Sequence, residues 1–184
     1  VSEPPPAEDA GPISAPADML RPVIDHAEAL RLLEMATKKE RVGSVLADWL
    51  RSTFGCGLVL VIKNDTAVGW KGFFPDAEDL IEAVNVPLGK PNMFSAVLDK
   101  REPYCGPPAE ARAMQLFWKV LRCPVPSEVI LCPVVIGKRA VNVIYAQVMD
   151  DSILTDTQFH ETKVLAVAAS VAYQRIIKRD RDKA

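Results

Sequence analysis

Apolar side chains recur at steps of three and four over residues 25–53 and again over 156–178, with shorter apolar runs between. Behind Asp25, which can cap a helix, come Ala29, Leu32, Leu33 and Ala36. A second stripe of Val42, Val45, Leu46, Trp49 and Leu50 then runs to Phe54-Gly55. Each set predicts a helix with one apolar face, and Gly55 suits the stop. Spacing alone leaves open whether the chain breaks near Thr37. GLVLVIK (57–63) is apolar on both faces, as a strand covered on both sides is. Asn64-Asp65-Thr66 supplies turn chemistry, and AVGWKGFF (67–74) follows as the hairpin mate. Strict alternation would put Val68, Trp70, Gly72 and Phe74 on one face and Lys71 and Phe73 on the other.

The middle of the chain, 77–126, is mixed. AEDLIEAV predicts a short helix, VPL a short strand, and MFSAVLDK a helix capped by Asn92. Pro-Tyr-Cys-Gly-Pro-Pro (103–108) reads as a turn-rich crossing. EARAMQLFWKVLR (110–122) has helical spacing at Ala113, Leu116, Phe117, Val120 and Leu121. EVILCPVVIG (128–137) and AVNVIYAQVM (140–149) predict a second hairpin about Gly137-Lys138-Arg139. Pro133 lacks a donor and so belongs at a bulge or sheet edge. Thr155 is placed to cap the last helix. Its VLAVAASVAY segment (164–173) is apolar or small on every side and calls for cover on more than one.

Length adds one bound: 184 residues suit one domain with a sizeable core. Residues 1–22 hold six of the fifteen prolines with Ala, Ser and acids, the composition of a disordered linker, which leaves 23–184 as the domain. The chain opens on Val and shows no signal peptide, so the expectation is a cytoplasmic piece of something longer. A net charge of −2 with spread Lys and Arg gives no basic stripe for nucleic acid. No membrane span is expected.

The chemistry is sparse. Cys56, Cys105, Cys123 and Cys132 lack C-x-x-C spacing, and His26 and His160 stand alone, so no metal site is expected. Phosphate loops, nucleophile elbows and Gly-x-Gly-x-x-Gly runs are missing. The pairs Asp76/Glu78 and Asp150/Asp151 sit where turns need Asp. These features point away from an enzyme. Trp70, Phe73 and Phe74 on one short strand are either plain core or the wall of a ligand cavity.

The last third, ILCPVVIGKRAVNVIYAQVMDDSILTDTQFHETKVLAVAASVAYQRI, resembles the end of GAF domains in Pro133, the Gly137–Arg139 turn, Val143-Ile144-Tyr145, Thr155 and Phe159. GW-x-G-F and PLGKPNMFSAVL…PYCGP look like a divergent bacterial group of such modules, and the resemblance spans about 37–178. It implies an α+β fold: a central antiparallel sheet of five or six strands, with both terminal helices on one face and the variable middle section on the other. Ligands of the family lie between sheet and middle section, so Trp70, Phe73, Phe94, Ser95, Tyr104 and Phe117 become the candidate ligand residues, with Trp118 beside them. The Asn-Lys pair of cyclic-nucleotide binders is missing, and His is absent from 27 to 159, where a bilin site would need one. No cofactor is therefore expected.

The functional expectation is a non-catalytic GAF-like regulatory module of a bacterial signalling, motility or polarity system. It would act through homodimerisation and docking of protein partners in a multidomain assembly. Trp49, Val164, Val167, Ala168 and Val171 are the candidate dimer residues. The alternatives are a sensor of a small apolar molecule and, more weakly, a redox sensor at Cys105 or Cys123.

Overall fold

The computed structural model describes residues 22–150 and 152–183. The linker expectation for 1–22 thus lies, apart from Pro22, outside the described residues. Asp25 caps α1 (His26–Met35), its Oδ1 accepting the Glu28 amide at 2.8 Å. Ala36 leaves the helical backbone, and α2 (Lys39–Phe54) starts afresh, so the first apolar stretch is two helices. Gly55 at φ +73° closes α2 with its N–H on the Arg51 carbonyl, the left-handed stop that glycine adopts without strain.

Six strands follow in one sheet: β1 (Gly57–Lys63), β2 (Thr66–Phe73), β3 (Asn85–Pro87), β4 (Tyr104–Gly106), β5 (Val129–Ile136) and β6 (Arg139–Ala146). Their spatial order is β3-β2-β1-β6-β5-β4, and each neighbouring pair is antiparallel. The two long hairpins lie side by side, joined by β1 on β6. β4 pairs with β5 only as far as Leu131, so Pro133 sits beyond the end of its neighbour, where a missing donor costs nothing.

One face of the sheet is roofed by α1, α2 and the 26-residue α5 (Asp156–Arg181). Val59, Ile130, Cys132, Val134 and Ile144 point into that layer against Val45, Trp49, Leu165 and Ala169. On the other face Leu58, Leu60, Leu131, Val143 and Tyr145 meet the middle section. The α+β architecture with both terminal helices on one side is as expected.

Several local readings change. Residues 78–83 form a 3-10 helix rather than an α-helix. α3 (Met93–Lys100) follows Asn92, whose side chain accepts the amides of Phe94 and Ser95, while Ser95 Oγ returns to the Asn92 amide. Residues 103–108 are less a crossing than an edge: Tyr104–Gly106 pairs as β4. The helix expected over 110–122 shrinks to α4 (Gln115–Val120), because Glu110 takes φ +53° and the following residues turn instead of winding. Thr155 caps α5 through a reciprocal pair with Gln158.

Candidate functional site

The face under the middle section is a closed aromatic cluster. Tyr145, in β6, has the Phe117 ring edge-on at 5.0 Å, Phe94 at 6.0 Å and Phe74 stacked at 6.5 Å. Phe94 and Phe117 meet edge to face at 5.3 Å, the arrangement that ring quadrupoles favour. The Trp118 indole donates to the Tyr145 hydroxyl at 2.8 Å, and that hydroxyl donates onward to Gln147 Oε1. Burial drives the Tyr145 phenol well above its ordinary pKa, so it stays a neutral donor. These side chains fill the space in which a ligand between sheet and middle section would lie. Phe94 and Phe117 are brought together as expected; Tyr145 and Gln147 complete the set. Gln147 gave no signal in the sequence, since a buried glutamine is chosen by its partners rather than by periodicity.

Trp70 is elsewhere. Val59 pairs with Lys71 and Leu60 with Gly69, so Trp70 is the extra residue of a β-bulge. Beyond a bulge the alternation shifts by one residue, and side chains change face. The Trp70 ring therefore stands on the helical side against Gly43 of α2, while Phe74 stays on the middle side. Phe73 also faces α2, with the Arg51 guanidinium 5.9 Å from its ring centre. The expected shared face of Trp70 and Phe74 is corrected accordingly.

The six candidate ligand residues consequently do not converge. Trp70 and Phe73 line a groove of about 430 Å³ with Ser44, Arg51, Lys71 and Asp79. Phe117 borders one of about 250 Å³, Tyr104 one of about 290 Å³, and Ser95 a depression of about 470 Å³. Phe94 is fully buried and lines none of these four. Ser95 is committed to its helix cap, and Tyr104 donates to the Pro107 carbonyl.

The candidate dimer residues also divide. Trp49 is 1% exposed, edge to face with Phe54 and tilted over His26 beneath α1. It cannot reach a second copy, because the α2 stripe is spent on the core. Val167 and Val171 are 65% and 56% exposed on the outer side of α5, and Val164 and Ala168 are half-buried beside them.

The thiols are quiet. Burial pushes Cys56 and Cys132 up to about 12 and Cys123 to about 11, and it raises Cys105 as well. Nucleophilic sulfur is thiolate, so none is activated at neutral pH. Among the described residues, no group of three His, Cys, Asp or Glu side chains is placed to hold a metal, and no helix is long and apolar enough to cross a membrane.

No protein-family model matches the sequence, and no curated protein matches it. Solved structures do match in fold. A methyl-accepting chemotaxis protein fragment, residues 122 to 287, aligns at 17% identity and TM-score 0.63 over 80% of this chain and 96% of its own. The GAF domain of a phosphoenolpyruvate-protein phosphotransferase from Coxiella burnetii aligns at 10% identity and TM-score 0.67, covering 85% and 96%. A free methionine-R-sulfoxide reductase from Neisseria meningitidis, in complex with its substrate, aligns at 14% identity and TM-score 0.63, covering 84% and 89%. The antiparallel sheet, its one-sided helical roof and these alignments agree: the chain has the fold of GAF domains.

Proposed function

We propose that this chain is a non-catalytic regulatory module of a bacterial signalling, motility or polarity system, working in the cytoplasm as a homodimer that docks protein partners. The observation that carries the reading is the outer side of α5. Thr157, His160, Val164, Val167, Val171, Gln174 and Lys178 follow one another at alternating steps of three and four, the spacing of a seam between two packed helices. Its three central positions are all Val, and two of them are more than half exposed. The opposite side of the same helix, with Leu165, Ala169, Ala172 and Ile176, is already buried on the sheet and α1. A β-branched stripe at that spacing is self-complementary and suits a second copy of the same helix. Signalling assemblies supply the chemotaxis and phosphotransferase structures that the fold matches.

Sedimentation across a concentration series tests this. The wild-type chain is expected to dimerise, and Val167→Glu with Val171→Glu to shift it to monomer while its circular dichroism stays unchanged. A strict monomer at high concentration, or a dimer indifferent to both substitutions, would refute the reading.

A further inference from the structure

Along the outer side of α5 the charge changes sign. Carrying the steps of three and four onward from Val171 passes Gln174 and reaches Lys178 and then Arg181. Carrying them back from Val164 reaches His160 and Thr157, with Glu161 and Asp156 one position to either side of that pair. Asp156, Lys178 and Arg181 are exposed, and Glu161 is half-buried. The seam therefore starts between two acids and finishes on two bases.

The neighbouring charges are turned to the chain's own domain. Lys163 lies over the Phe159 ring, 4.5 Å from its centre. Arg175 donates to the carbonyls of Leu33 and Ala36, and Arg179 to that of Thr37 while also meeting Asp180 at 3.4 Å. Of the charged residues inside α5, those four are thus the ones set along the outward seam.

A second copy of the helix can lie on this seam in either direction. In a parallel pair each seam residue meets itself, so Lys178 faces Lys178 and Arg181 faces Arg181, while the flanking Asp156 falls beside Glu161 of the other chain. Every one of those meetings is between like charges. In an antiparallel pair, Val167 and Val171 of one copy pack on Val171 and Val167 of the other. Residue 178 then lies opposite 160, and 181 opposite 157. Lys178 comes beside Glu161, and Arg181 beside Asp156, each twice by symmetry. The two helix dipoles also oppose one another. Exposed ion pairs add little affinity, which the valines supply, but complementary charge decides how two surfaces are set against each other.

We propose that the second copy docks on α5 antiparallel, about a two-fold axis that crosses the helix between Val167 and Val171. The inference rests on the dimer reading above and gives it a direction. The two α5 C-termini point apart, so the pair is a closed two-fold and not the root of a shared parallel stalk.

Sedimentation of the full chain tests the charges. Glu161→Lys places a cation beside Lys178 of the second copy and is expected to weaken the dimer about fivefold, and adding Lys178→Glu to restore it. In a parallel pair the same Glu161→Lys falls beside Asp156 and tightens the dimer. Pulsed EPR tests the direction without relying on charge. Spin labels go on Lys178→Cys, with the half-buried Cys105 and Cys123 changed to Ser. The antiparallel pair separates the labelled positions by about 27 Å, the helix rise from 160 to 178; the parallel pair leaves them about 8–10 Å apart, one helix spacing. A mean label distance below about 20 Å, or a dimer unchanged or tightened by Glu161→Lys, overturns the antiparallel direction and leaves the dimer itself standing. A chain that stays monomeric in sedimentation overturns both.

Discussion

Gly69 provides a sharp test of how the middle section is seated on the sheet. A Cβ at this position would stand 1.9 Å from the Ile81 carbonyl oxygen, 3.0 Å from its carbon and 3.1 Å from Val84 Cβ. The first obstacle is backbone, not a side chain that can swing away. A carbon and an oxygen approach comfortably no closer than about 3.3 Å, so in Gly69→Ala the 3-10 helix 78–83 must retreat by about 1.4 Å. That movement breaks the hydrogen bond from the Gly69 amide to the Val84 carbonyl, 2.9 Å in the native fold, worth about 0.5–1.5 kcal/mol. It also loosens Ile81 and Val84, now 5% and 2% exposed. Full burial of such side chains contributes about 1.5–3 kcal/mol each, and losing half of it costs about 2 kcal/mol for the pair. A lower unfolded-state entropy returns roughly 0.5–1 kcal/mol. The net loss is about 2–3 kcal/mol, and at roughly 2–4 °C per kcal/mol for a domain of this size the melting temperature falls by about 4–12 °C. Thermal unfolding followed by circular dichroism measures it, with Gly89→Ala, where a Cβ meets nothing within 4 Å, as the control. If Gly69→Ala melts within 2 °C of both wild type and control, the 3-10 helix is not held at the distance described.

Two further outcomes follow from the buried polar groups. Tyr145→Phe keeps the ring but leaves the Trp118 N–H without its acceptor and Gln147 Oε1 with only the Cys123 thiol, 3.9 Å away; urea unfolding should show a loss of about 1–3 kcal/mol, and combining it with Trp118→Phe should cost less than the sum of the two. Additive losses would count against the network. Stability should also fall in alkali: Cys56, Cys123 and Cys132 have folded-state pKa values raised by burial to about 12, 11 and 12. Their contribution is therefore complete below the ordinary thiol pKa near 9 and is lost as pH climbs toward 11–12. Urea midpoints that stay level from pH 9 to 11 would show that these thiols are not held in a dry interior.

Much of the scaffold was legible because its signals are local. Asn92 and Thr155 cap their helices through side chains three residues or fewer away, and the Asn64 and Gly137 turns carry residues suited to their left-handed φ of 52° and 60°. What escaped depends on partners distant in sequence. Nothing in AVGWKGFF announces a bulge; it exists because Val59 pairs with Lys71 while Leu60 pairs with Gly69. The Ala113–Leu121 spacing is helical, yet Glu110 turns left-handed and tertiary packing of Phe117 and Trp118 overrides the periodicity upstream. The dimer candidates show the same limit. Trp49 and Val167 both belong to amphipathic stripes, but only the packing of α1 over α2 decides which of the two is covered.

The bulge decides how β2 packs under α2. Without the extra residue, Trp70 would join Phe74 on the middle face. With it, the aromatic ring stands against Gly43, where a Cβ would come within 2.5 Å of the ring. Tyr173 and Ile176, on the buried side of α5, alternate with Val171 and Gln174, which are exposed. The helix is tied down nearby: Ser170 donates to the Val135 carbonyl, Arg175 to the carbonyls of Leu33 and Ala36, and Arg179 to that of Thr37. In this arrangement the inner side of α5 is fixed to the core, while the outer side carries the Val164–Val171 stripe. The proposed contact between copies would therefore rest on a helix that the domain's own core already holds in place.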